Sequence, residues 1–118
     1  MEPIIGLAYA RIAVGALSLL SPTLAAKAFL LDPDHNPQLP LITRMFGSRE
    51  VALGALTLAS SGKARAALVQ AGIAVDGADT LAGLAATISG SISKPAGLVL
   101  TGAAAGAVTT GVLALQDA

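Results

Sequence analysis

Long apolar runs separated by short polar breaks are the main feature of this chain. Each run approaches the ~20 residues that a helix needs to cross the ~30 Å apolar core of a bilayer. The runs cover residues 4–20, 39–60, 65–88 and 96–116. Prolines, glycines and serines, which end helices, fill the breaks between them. The pattern predicts an all-α fold, a four-helix transmembrane bundle, with residues 1–118 forming a single integral membrane domain.

Two further segments complete this prediction. Residues 23–31 are predicted to form a short amphipathic helix on the membrane surface, between the first and second spans. At the N-terminus, Glu2 stands where a signal peptide carries basic residues, and Arg11 interrupts the apolar run. We therefore expect the first run to be a retained helix.

Composition supports a membrane environment. Apolar residues make up 54% of the 118 residues and charged residues only 12%, about half the usual ~25% of soluble proteins. In a soluble alanine-rich bundle, which is the alternative, charges would recur along one exposed face of every helix. The fourth run instead has no charge between Lys94 and Asp117. A multi-pass protein of the cell membrane, with the lipid bilayer as its first partner, is therefore predicted.

Charge and cysteine content exclude several functions. Seven basic and seven acidic residues balance, so nothing indicates nucleic-acid binding. With no cysteine, disulfides and thiol redox chemistry are excluded.

Basic residues flank the breaks almost evenly, with Lys63 and Arg65 on one side of the membrane and Lys27 and Lys94 on the other. The compact pair at 63–65 favours cytoplasmic termini.

Six ionisable residues nevertheless fall inside the predicted spans. Each would cost ~2.5–3.5 kcal/mol unpaired at the middle of a membrane helix, so we expect them to meet in the bundle interior. Arg11 and Arg49 are predicted to compensate the three carboxylates, while Arg44, near a helix start, is expected to reach the interface. The six are Arg11, Arg44, Arg49, Glu50, Asp76 and Asp79.

Small residues share helix faces with these charges. On the second run Thr43, Gly47, Glu50, Gly54 and Thr57 follow alternating steps of four and three, which places them on one face. Similar stripes on the first and third runs predict that neighbouring helices pack closely at glycines. The glycines predicted to serve in helix packing are Gly15, Gly47, Gly54, Gly72 and Gly83, with Gly102 and Gly106 in a GxxxG pattern on the fourth run.

The carboxylates are also the candidates for chemistry. Asp76 and Asp79 lie one turn apart and would repel unless an arginine lies between them or one holds a proton. With Glu50 they form the candidate acid–base set, and Arg11, Arg44 and Arg49 are the candidates for ligand binding or charge pairing.

Other motifs are few. His35 lies in a loop beside two aspartates, where a solvated loop is preferred to a metal site, and no metal or cofactor is predicted. Tyr9, Phe29 and Phe46 are expected to face lipid or to pack in the core.

The block Arg44, Gly47, Arg49, Glu50 and Gly54, followed by the pair Asp76 and Asp79, resembles a known pattern. A family of small bacterial four-helix integral membrane proteins of unknown function shares R-x-x-G-x-R-E-x-x-x-G and D-x-x-D. Arg11, Gly15 and Pro22 also fit this family. More distantly, the layout is similar to the DoxX-like superfamily, some members of which are linked to quinone or thiol redox systems. Because this chain has no cysteine and no pair of haem ligands, the resemblance implies the fold and the polar core, and brings no established activity.

Three functions remain open at this point. The charges form a site that binds or transforms a small lipophilic molecule by proton-transfer chemistry such as isomerisation, cyclisation or epoxide opening. Alternatively, they only hold together a non-catalytic membrane subunit whose glycine-rich faces pack against a partner or a second copy. A proton or small-ion pathway is the third, and four short helices would need to oligomerise to form one. A cavity open to the lipid or to one face of the bundle, with an aspartate or glutamate exposed inside it, would favour the first function over the second.

Overall fold

A computed structural model describes residues 2–117 of the chain as an all-helical structure with five helices. The four long helices begin and end within three residues of the four apolar runs. The short helix expected over residues 23–31 is present as a seven-residue helix, with bounds Pro22–Ala28, and its location on the membrane surface stays a prediction. The helices are α1 (Pro3–Leu20), α2 (Pro22–Ala28), α3 (Leu39–Ala59), α4 (Gly62–Ser89) and α5 (Lys94–Gln116).

Prolines and one glycine set the helix boundaries. Four of the five helices have a proline in their first two positions, where the missing N–H costs no hydrogen bond. Helix α4 ends at Gly90, whose positive φ of 78° is a left-handed conformation that glycine adopts without strain. Three residues later, the Ser93 hydroxyl caps α5 by accepting a hydrogen bond from the backbone N–H of Ala96 at 3.2 Å.

The long helices associate as two tight pairs, α1 with α3 and α4 with α5. Within the first pair, glycines let the backbones touch: a Cβ atom placed on Gly47 would lie 2.7 Å from the carbonyl oxygen of Gly15. The two pairs meet more loosely. At the N-terminal end of α1 they share a small apolar cluster of Ile4, Val69 and Ala114.

The surface is more apolar than the interior. Leu20, Ile88 and Leu98 are exposed over 78–85% of their surface, whereas all five buried residues of α3 are glycines or polar. Those five are Thr43, Gly47, Glu50, Gly54 and Thr57, the stripe that the sequence spacing groups together. This distribution is what a bilayer requires, since lipid tails cover large apolar side chains at no cost.

Three of the described helices, α1, α4 and α5, are long and apolar enough to cross a membrane. Helix α3 has 21 residues, but every 18-residue stretch of it contains Arg44, Arg49 and Glu50, which lower its hydropathy. A membrane protein with three such helices is therefore supported. The four-span arrangement expected from the apolar runs is not confirmed, because the charges of α3 offset its apolar residues.

Candidate functional site

Five of the six charged residues within the apolar runs meet near the middle of the bundle. Arg11 comes from α1, Arg49 and Glu50 from α3, and Asp76 and Asp79 from α4. The helical stripes bring them together, because Arg11, Glu50 and Asp76 are each buried on the inward face of their own helix.

Arg11 lies between two carboxylates and is the most buried cation of the group. Its Nη1 donates a hydrogen bond to Oε2 of Glu50 at 2.8 Å, and its Nη2 donates to Oδ2 of Asp76 at 2.5 Å. A third bond joins Nη1 to the other oxygen of Asp76 at 3.2 Å. All three side chains are at most 8% exposed, so these bonds lie where water cannot replace them.

Arg49 forms the second, more accessible half of the group. Its Nη2 donates to Oδ2 of Asp79 at 2.5 Å and reaches Oε1 of Glu50 at 3.4 Å. The Arg49 and Asp79 side chains are 36% and 35% exposed. The Arg49 guanidinium also lies over the Phe46 ring, 5.2 Å from its centroid, and its buried Nε has no acceptor within residues 2–117.

The five side chains therefore form one chain of alternating charge. In spatial order they run Asp76, Arg11, Glu50, Arg49 and Asp79, with Glu50 shared by both arginines. We call this chain the charge relay, a name that implies no proton movement. It separates Asp76 from Asp79, so each aspartate has its own arginine. The two terminal groups of the charge relay, Asp76 and Asp79, are both carboxylates.

Arg44 does not belong to the charge relay. It is exposed, and its Nε donates to the Leu19 backbone carbonyl at 3.3 Å near the C-terminal end of α1. It makes no ion pair with the described residues, 2–117.

The predicted packing glycines divide into two groups. Gly15, Gly47 and Gly54 lie at the contact of α1 with α3, and Gly72 makes room for Arg11, whose Nη2 would be 2.6 Å from an added Cβ. Gly83 faces Thr101 across the α4–α5 contact. In contrast, Gly102 and Gly106 have no described atom within 4 Å of an added Cβ, so they make no close helix contact within residues 2–117, and their role in packing stays a prediction. They are exposed because the inward face of α5 is formed by other residues, among them Gly97 and Gly111.

A partly open cavity of about 1040 Å³ lies beside the charge relay. All five relay residues line it, together with apolar side chains from all five helices and the loops that follow α2 and α4. Its apolar wall includes Val14, Phe46, Leu100, Ala103 and Ala107. The cavity is large enough for a drug-sized molecule, and it lies between the two helix pairs, which contact each other much less than the helices within each pair do.

Two aromatic residues of this wall were not recognised as site residues from the sequence. Phe29 and Phe46 contact each other edge to face, with ring centroids 6.4 Å apart, and both line the cavity. Tyr9 is 54% exposed, as expected for a lipid-facing residue. The position of Phe46 three residues before Arg49 is the one signal that could have placed it near the charges.

Asp32 and His35 line the end of the cavity formed by the loop between α2 and α3. His35 Nδ1 lies 2.5 Å from Oδ2 of Asp32, and this hydrogen bond lowers the pKa of the Asp32 carboxyl below its usual value of 3.8. Both side chains are exposed. Over the described residues, no group of three or more histidine and acidic side chains is placed to hold a metal ion.

No protein-family model, curated protein or solved structure matches this chain.

Proposed function

We propose that this protein crosses the membrane as a four-helix bundle and binds a small lipophilic molecule in the cavity beside the charge relay. The cavity is the observation that carries the proposal. A set of charges that served only to join helices would be satisfied internally and sealed by packing. Here the relay instead borders about 1040 Å³ of space with a mainly apolar wall.

The two halves of the relay suit different tasks in this proposal. Arg11, Glu50 and Asp76 are almost fully buried and join three helices, so they hold the bundle together. Arg49 and Asp79 are about one-third exposed and would contact the bound molecule. A reaction with proton transfer would use Asp79, since it is the most accessible carboxylate of the relay.

The fourth span is part of the same proposal. Helix α3 is too charged to be a span on its own, but Glu50 and Arg49 are paired with α1 and α4. Pairing removes most of the cost of inserting those charges, so α3 would enter the membrane in company with its neighbours. The resemblance to small four-helix bacterial membrane proteins points the same way. The termini would then share one side of the membrane, which we assign to the cytoplasm.

The alternative is a non-catalytic membrane subunit that packs against a partner or a second copy and whose charges have a structural role alone. The complete pairing of Arg11 favours that interpretation for the buried half of the relay. It does not account for the cavity. The two functions differ in whether a small molecule can enter this space and be retained there.

Single cysteines test the proposal, because the natural chain has none. Ala103→Cys places a thiol on the cavity wall, and Gly102→Cys places one at the same depth on the outer face of α5. In lipid nanodiscs, N-ethylmaleimide should label the thiol at position 103 faster than the thiol at position 102. The reagent reacts with the thiolate, and a thiolate forms only where water reaches the sulfur. Decanol, a neutral lipophilic probe, should slow that labelling several-fold and saturably.

A cavity-filling variant provides the second arm. Ala82→Phe fills the wall on α4 and should abolish protection by decanol, whereas Ala85→Phe, at an exposed position that does not line the cavity, should leave it intact. Equal labelling at positions 103 and 102, with no protection by decanol, would contradict the binding function and favour the structural one.

A further inference from the structure

The charge relay has more negative than positive groups. Three carboxylates alternate with two guanidinium groups, so the formal charge of the relay is −1. The sequence alone suggests balance, because Arg44 supplies a third positive charge within the apolar runs. In the structure Arg44 is exposed, contacts the α1 backbone and does not line the cavity.

The rest of the cavity wall does not correct this excess. Among the described residues that line it, Asp32 and His35 are the remaining ionisable groups, and the lowered pKa of Asp32 keeps its carboxyl ionised at neutral pH. Lys27 and Lys94 lie near this end of the bundle but are absent from the lining. A negative charge beside a mainly apolar wall is stabilised by a positive group close by.

Asp79 is the place where such a group fits. It is the terminal carboxylate of the relay and is 35% exposed. Arg49 contacts its two oxygens at 2.5 and 3.4 Å. A carboxylate has about four acceptor sites, so Asp79 can accept further hydrogen bonds from a second donor in the cavity. Beyond it lie apolar groups, including Ala82 one turn along the same helix.

We infer that the molecule bound in the cavity is a lipophilic cation, namely an amine or quaternary ammonium group carrying an apolar tail. Its positive group lies against Asp79 and its tail lies along the apolar wall. This inference rests on the proposed function and adds the chemical class of the ligand.

A tryptophan introduced into the cavity reports directly on the binding of a cation there, because the natural chain has no tryptophan. Phe29→Trp replaces one aromatic residue of the cavity wall with another, and N-decylpyridinium, a cationic quencher of tryptophan fluorescence, is the probe. Ile88→Trp, on the outer surface at a position 84% exposed and outside the lining of any pocket, is the control for quenching from the detergent micelle. Saturable quenching is expected from Phe29→Trp alone.

Competition with three molecules of equal tail length then isolates the head group. Decyltrimethylammonium should displace the probe at least tenfold more strongly than decanol or decyl sulfate, which corresponds to about 1.4 kcal/mol. Added to Phe29→Trp, Asp79→Asn should weaken decylpyridinium binding at least tenfold. Asp34→Asn, the same change at an exposed loop carboxylate outside the cavity lining, should leave binding unchanged. Asp79→Glu, which keeps the charge, should retain the preference for the cation.

The outcomes separate the two proposals. Equal displacement by the alcohol and the cation would overturn the inference and leave the binding function intact, and a bound proton would then balance the excess charge. Preference for decyl sulfate would also overturn it and would assign head-group contact to Arg49. If none of the probes binds saturably, both proposals fail. Even if Asp79→Asn does not fold, the competition series in the Phe29→Trp protein still shows whether the cavity prefers a cation.

Discussion

Replacing Arg11 with methionine tests whether the buried half of the charge relay holds the helices together. Methionine keeps much of the length and apolar contact of the arginine stem but removes its charge and all five donors. Glu50 and Asp76, each with a side chain only 6% exposed, then lose the partner they share. Asp76 then has no other cation partner among residues 2–117, while Glu50 retains one 3.4 Å contact to Arg49.

The expected loss follows from these contacts. Three charge-assisted hydrogen bonds disappear, and two carboxylates remain in a site of low dielectric. Breaking a buried ion pair by removing one partner costs about 3–5 kcal/mol, since the other charge stays buried and uncompensated. We expect Arg11→Met to lower the free energy of unfolding by about that amount, a large fraction of the usual ~5–15 kcal/mol.

The measurement is reversible unfolding in mixed micelles by titration with sodium dodecyl sulfate, followed by helical circular dichroism. Arg44→Met is the matched control, because it removes an arginine that is exposed and has one 3.3 Å hydrogen bond to a backbone carbonyl. We expect it to cost less than about 1 kcal/mol. A triple variant that adds Glu50→Gln and Asp76→Asn to Arg11→Met should recover part of the loss, because it no longer buries unpaired charge.

Equal destabilisation by Arg11→Met and Arg44→Met would refute this reasoning. A triple variant less stable than Arg11→Met would also refute it, since neutralising both carboxylates then brings no relief. Either result would mean that the helices associate through small-residue packing alone.

Two further predictions concern helix packing and the loop between α2 and α3 at the end of the cavity. Gly47→Ala should destabilise the protein by about 1–3 kcal/mol in the same assay, because the new methyl group would meet the Gly15 carbonyl oxygen at 2.7 Å. Gly102→Ala, where an added Cβ meets no described atom within 4 Å, should be neutral, and equal effects would contradict the packing of α1 on α3. His35→Gln should raise the pKa of Asp32, measured by carboxyl-carbon NMR titration, since the hydrogen bond from the histidine holds it below 3.8. The folded state binds this proton less readily than the unfolded chain, so the small stabilisation is present above pH 3.8 and is lost as pH falls through the lowered pKa. An unchanged Asp32 titration would show that the contact does not persist in solution.

Periodicity explains why much of the site could be predicted. The bounds of the four long helices follow from where apolar runs meet proline and glycine, and the structure places them within three residues of the prediction. The stripe from Thr43 to Thr57 is the buried face of α3, because positions three and four apart share one face of a helix wherever the helix lies. The cost of an unpaired charge in lipid then required that Arg11 and Arg49 meet carboxylates from other helices.

Distances between helices are not encoded in that periodicity. They determine the cavity, the position of Arg44 and the net charge of the relay. Close contact at Gly15 and Gly47 holds α1 against α3, and α4 pairs with α5, while the two pairs make few contacts with each other and leave the cavity between them. The same packing leaves Arg44 outside and makes the relay one charge negative. Which charges share a site depends on how helices from distant parts of the chain approach one another, and only the tertiary structure determines that.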